Sequence, residues 1–146
     1  MRILYGIASG VRRIYWFIVR PKTTGVKCLI ECDDNYLLIK QTYGSRMYNW
    51  NLPGGGVEKN ESFKDAVKRE VFEEVGIALP DVIEIKRYTS NLEYKVDTVY
   101  CFYSKVITKN IVIDKNEILE AKWFPKNNLP ENISRSIKES LTVLLN

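Results

Sequence analysis

The chain has 146 residues, enough for one domain with a sizeable core, and its composition (45% hydrophobic, 27% charged, net charge +4) is ordinary for a soluble globular protein. That modest positive charge suits a small polyanionic ligand and is too weak to argue for specific nucleic-acid binding. Histidine is absent, which excludes a Ser-His-Asp triad, a Cys-His pair and a His-ligated zinc site, and leaves general-base work to Glu, Asp, Lys, Tyr or a metal-bound hydroxide.

Residues 1–20 carry Ile3, Leu4, Ile7, Val11, Ile14, Tyr15, Ile18 and Val19 at helical spacing. They are too short for a membrane span, with Arg12 and Arg13 at their middle, and lack the uninterrupted apolar run of a signal peptide. The pattern predicts an amphipathic N-terminal helix, broken off by Pro21 and weakened by Gly6 and Gly10. Packing on its own domain or in a dimer is favoured over contact with an anionic membrane surface. The chain thus divides into an N-terminal extension, 1–22, and one domain, 23–146.

Thr24–Cys32 and Tyr36–Thr42 read as two strands around an Asp33-Asp34-Asn35 turn. A polar, aromatic loop, Tyr43–Asn51, then leads to Trp50, which is expected to pack, and to a glycine-rich turn, Gly54-Gly55-Gly56. A helix follows, with Ser62 as its cap, Asp65 three residues on, and Gly76 at the left-handed C-terminal position. Val82–Ser90, Val96–Ile107 and Glu117–Phe124 are rich in β-formers, and Ile133, Ile137, Leu141, Leu144 and Leu145 form the stripe of a C-terminal helix. Cys28, Cys32 and Cys101 are an odd set with no disulfide or zinc framework, which predicts reduced, half-buried thiols in a cytoplasmic protein.

The central helix carries chemistry. At about 100° per residue, Phe63, Ala66, Val67 and Val71 form an apolar stripe, Glu70 and Glu74 fall within it, and Glu73 lies on its edge. A carboxylate turned toward a core must be paired, protonated or bound to a cation. Three of them beside a glycine turn point to a hard divalent cation, which takes oxygen ligands.

From Gly55 the residues read Gly, five others, Glu61, seven others, Arg69-Glu70-Val71, one other, Glu73-Glu74, one other, Gly76-Ile77. Every fixed position of the Nudix signature is matched, and the chain resembles the Nudix hydrolases. The resemblance implies an α/β fold, an α/β/α sandwich around a mixed sheet. It also implies Mg²⁺-dependent cleavage of the pyrophosphate in a nucleoside diphosphate linked to another group, with Mn²⁺ as an alternative ion. It assigns the metal to Glu70, Glu73, Glu74 and the Gly55 carbonyl. Arg69 would orient the first of these glutamates, and Glu61 would tie the loop to the helix. A fourth acidic ligand from outside the helix is expected at Glu117, with Glu120 and then Asp97 as alternatives.

Candidate substrate contacts are Arg46 for a phosphate and Tyr48 and Tyr94 for a base. The proline that marks ADP-ribose hydrolases is replaced by Leu92, and Tyr94 matches a tyrosine position seen in diadenosine-polyphosphate hydrolases. A (deoxy)nucleoside triphosphate is the expected substrate. Diadenosine polyphosphates, nucleotide sugars or ADP-ribose and RNA 5′ ends stand as alternatives, as does a non-catalytic nucleotide-sensing module.

Overall fold

The computed structural model describes residues 22–42, 49–91 and 96–146. The expected helix over residues 1–20, and Arg46, Tyr48 and Tyr94, lie outside the described residues. Strand β1 runs Lys22–Cys32 and β2 runs Asn35–Gln41. They meet in a two-residue turn in which Asp33 (φ 48°) and Asp34 (φ 60°) are both left-handed, the geometry that matches the twist of a tight hairpin. Asn35, expected in the turn, instead opens β2, and its amide donates to Asp33 O at 2.7 Å.

The glycine run is not a turn but a strand. Gly54–Gly56 forms β3 and pairs antiparallel with β1, Gly25 facing Gly56 and Lys27 facing Gly54. Its partner β1 is eleven residues long and pairs with β2 only near its C-terminal end, which leaves an edge for the glycines to fill. A Cβ on Gly54, whose φ is +147°, would stand 2.0 Å from Val26 O, so only glycine fits that approach.

Helix α1 runs Phe63–Val75; Ser62 Oγ accepts from Asp65 N–H, and Gly76 (φ 72°) closes the helix by donating to Phe72 O, as the sequence signals required. Strands β4 (Ile83–Ser90), β5 (Val96–Lys105) and β6 (Ile118–Pro125) and helix α2 (Arg135–Leu144) complete the order. The sheet order is β4-β5-β1-β2-β6 with β3 on β1, and β1 with β5 is a parallel pair while the other pairs are antiparallel. Pro125 ends β6 on an outer strand, where its missing N–H is tolerated.

Alternation along β1 sorts the core into two layers. Val26, Cys28, Ile30 and Cys32 join Ala66, Val67, Val71 and Val75 of α1 on one face. Leu29 joins Leu38, Trp50, Leu52 and Ile137 of α2 on the other. This is the expected α/β/α sandwich with a mixed sheet. Trp50 packs edge-on against Phe124 at 4.8 Å between ring centres, and all three cysteines are free and fully buried rather than half-buried. The stripe of α2 stops at Leu141, with Leu144 and Leu145 exposed. No described helix is long and apolar enough to cross a membrane.

Candidate functional site

Helix α1 lies against β1 and β3, so its polar residues on the inward face meet the glycine strand. Glu74 is 1% exposed, and its Oε1 accepts a 2.6 Å hydrogen bond from Gly54 N–H. Burial pushes its carboxyl up to about 8; Lys27 and the Gly54 bond oppose this, while Glu70 and Glu117 add to it as like charges. Glu70, one turn back, rests on Gly55: a Cβ there would stand 2.6 Å from the Glu70 carboxyl carbon. The second glycine of the run is therefore a cradle for a carboxylate. Glu73 is on the rim, its side chain 54% exposed.

Arg69 gathers these groups. Its Nε and Nη2 form a two-point pair with Glu61 at 2.8 and 2.9 Å, and Nη2 also donates to Gly56 O at 3.0 Å. Its Nη1 donates to Glu70 Oε1 at 2.9 Å and to Glu73 Oε2 at 3.4 Å. The guanidinium holds the Glu61 carboxyl down at about 2, helped by the backbone hydrogen bond at Glu58. Glu61 also accepts from Glu58 N–H at 3.0 Å, so it links the loop to the helix, as expected.

Glu117 sits in the turn just before β6 rather than in it. Burial raises its pKa, as do the charges of Asp114, Glu70 and Glu73, which places it in the same electrostatic field as the helix carboxylates. Glu120 is on β6 with its carboxylate 4.0 Å from Lys40 Nζ, an exposed strand pair. Asp97 accepts from Thr23 Oγ1 at 2.7 Å. Its carboxylate and the Gly55 carbonyl lie 3.5 and 3.7 Å from where a Cβ on Gly25 would stand. Among the described residues, no three acidic groups converge closely enough to hold a metal ion as they stand.

Three participants were not singled out from the sequence. Glu58 brings a fourth carboxylate to Arg69, at 3.8 Å. Lys27 Nζ donates to Leu52 O at 3.2 Å, so it grips the segment whose next N–H, that of Gly54, is held by Glu74; a lysine inside an apolar strand was the available signal. Asn51 Oδ1 accepts from Leu52 N–H, Ser134 Oγ and Ser136 Oγ at 2.8 to 2.9 Å. Those serines come from the start of α2, more than 80 residues on, and no local pattern announces the tie.

The donor set is all oxygen, carries a like-charge excess and includes a carboxylate seated on a glycine Cα. All-oxygen donors with an excess of negative charge are what Mg²⁺ or Mn²⁺ takes, so in donor chemistry these residues fit such an ion.

The profile of the NUDIX domain matches residues 21–143. Nudix hydrolase 19, chloroplastic, of Arabidopsis thaliana is 30% identical over 127 residues, 80% of this chain; the chain spans only 28% of that relative's length. The nucleoside triphosphatase NudI of Salmonella agona is 29% identical over 107 residues, covering 65% of this chain and 76% of that protein. Among solved structures, the MutT Nudix hydrolase of Burkholderia pseudomallei superposes with a TM-score of 0.78 at 23% identity, over 84% of this chain and 98% of that one.

Proposed function

Given that this chain belongs to the Nudix hydrolase family, we propose that it hydrolyses the pyrophosphate linkage of a nucleoside triphosphate or deoxynucleoside triphosphate in a reaction that depends on Mg²⁺. The observation that carries the reading is the inward-facing acidic surface of α1, with Glu74 buried on Gly54 N–H and Glu70 seated on Gly55. Glu70, Glu73, Glu74 and the Gly55 carbonyl would hold the cation, and Glu117 would add a ligand from the turn before β6. A cation so held neutralises charge developing on phosphate oxygens and makes a bound water a better nucleophile. The chain's own residues do the positioning. Arg69 and Glu61 fix the loop against the helix, so that Glu70 and Glu73 keep a defined separation. Gly54 N–H orients Glu74.

The nucleoside triphosphatase NudI relative supports the choice of substrate. Arg46, Tyr48 and Tyr94 are proposed as phosphate and base contacts. Buried, unpaired thiols at Cys28, Cys32 and Cys101 suit a reducing, cytoplasmic setting. The test is a screen for released phosphate and pyrophosphate over nucleoside triphosphates, diadenosine polyphosphates, ADP-ribose, nucleotide sugars and 5′-triphosphate RNA, with Mg²⁺ or Mn²⁺. Preferential turnover of a nucleoside triphosphate is expected; turnover confined to another class would replace the substrate, and none at all would favour a sensing module.

A further inference from the structure

Strand β3 is three glycines long and carries no side chain that could lock it by packing, so hydrogen bonds must hold the segment that leads into it. Those bonds form an unbroken series. Leu52 N–H donates to Asn51 Oδ1 at 2.8 Å, and Leu52 O accepts from Lys27 Nζ at 3.2 Å. Pro53 O then accepts from Cys28 N–H at 3.0 Å, and Gly54 N–H donates to Glu74 Oε1 at 2.6 Å. Proline has no N–H, so every backbone polar group from Leu52 N–H to Gly54 N–H has a partner.

The segment is gripped from both faces of the sheet. Val26 and Cys28 pack on α1, so alternation along β1 turns Lys27 to the other face, with Leu29 and α2. Glu74 therefore reaches the segment from the α1 face and Lys27 from the α2 face. Lys27 stands opposite Gly54 in the β1–β3 pairing, and its side chain reaches back to Leu52. A half-buried ammonium between Val26 and Cys28 is costly unless it is compensated. Here it has the Leu52 carbonyl and lies in the field of the Glu74 carboxylate.

We infer that Lys27 is a positioning residue for Glu74. By holding Leu52 O from the α2 face it fixes where the Gly54 N–H stands, and that N–H fixes the Glu74 carboxylate from the α1 face. Lys27 acts through the backbone of β3 and not by contact with the substrate. The inference rests on the reading above that Glu74 serves a cation-dependent hydrolysis, and it adds a residue outside the Gly55–Ile77 signature to that machinery.

The experiment compares the full-length wild type with Lys27→Met, which keeps the stem and removes the donor and its charge. Steady-state turnover of a nucleoside triphosphate at saturating Mg²⁺ is read together with amide hydrogen exchange at Gly54. The variant is expected to keep the wild-type KM and to lose about tenfold in kcat, a fraction of the roughly 10²-fold that a 1 Å misplacement costs. Exchange at Gly54 N–H should rise by about tenfold, the weight of one charged hydrogen bond, while that at Ile137 in the core of α2 is unchanged. Lys27→Gln, a smaller change of polarity, carries the same expectation and serves if the methionine variant does not fold.

A folded variant with wild-type kcat overturns the inference. So does a rise in KM with kcat kept, which would make Lys27 a substrate contact, and so does a fall in kcat with Gly54 exchange unchanged. Wild type that turns over no nucleotide refutes the proposed reaction instead; the exchange comparison then still decides whether Lys27 holds Gly54 N–H in place, and unchanged exchange overturns the inference as well.

Discussion

Replacing Gly55 by alanine puts a methyl group 2.6 Å from the carboxyl carbon and Oε2 of Glu70 and 2.8 Å from its Oε1. Ordinary contact for a Cβ begins near 3.4 Å, so the carboxyl must retreat by roughly 1 Å, and it can, because it ends a flexible side chain. The retreat gives up the 2.9 Å bond from Arg69 Nη1. For a part-exposed charged pair that loss is about 1 kcal/mol or less, a fall of about 2–4 °C in melting temperature for a chain of this size. Activity should suffer far more, since a 1 Å misplacement of a reacting group costs about 10²-fold. Gly54→Ala is the control with the opposite profile. Its Cβ would meet backbone, Val26 O at 2.0 Å and Lys27 Cα at 2.8 Å, at a φ of +147°, so β3 must leave β1 and stability falls by several times the Gly55→Ala cost. The assays are thermal melts and nucleotide turnover with Mg²⁺. A Gly55→Ala protein that keeps both its melting temperature and its turnover would refute the seating of Glu70 on Gly55 as a requirement for catalysis.

Further outcomes follow from the same geometry. Glu74 has a raised carboxyl, so without metal the folded state holds a proton that the unfolded chain has released. Stability should fall as pH rises from about 4.5 to about 8, and Glu74→Gln should remove that slope in denaturant titrations with EDTA present. Glu61 is the reverse case: held at about 2, it contributes stability above roughly pH 4.5 that is lost as pH falls toward 2. Glu61→Gln should therefore destabilise the chain at pH 7 and match wild type at pH 2. Trp50→Ala empties a buried aromatic site against Phe124 and should cost about 3–5 kcal/mol, read from urea midpoints.

The helix was legible because its caps and stripe are local signals. Ser62, Asp65 and Gly76 fixed its ends, and the wheel placed Glu74 inside the apolar stripe, where it is buried. Strand β3 was not legible: glycine has no β propensity, and the pairing depends on an edge offered by β1, almost thirty residues earlier. The same holds for Lys27 and for Asn51 with Ser134 and Ser136, whose roles arise only when distant segments meet. Glu117 could be placed from the sequence only through the resemblance. Its position in a turn, facing the charges of Glu70 and Glu73, follows from how β6 enters the sheet beside β2.

The most direct test of the account compares wild type with Glu74→Gln and Glu73→Gln in Mg²⁺-dependent nucleoside triphosphate turnover, with a melt of each protein. Glutamine at position 74 keeps an acceptor for Gly54 N–H and removes the charge. The account predicts folded variants with turnover reduced by about 10²-fold or more. Turnover equal to wild type in both variants would contradict it.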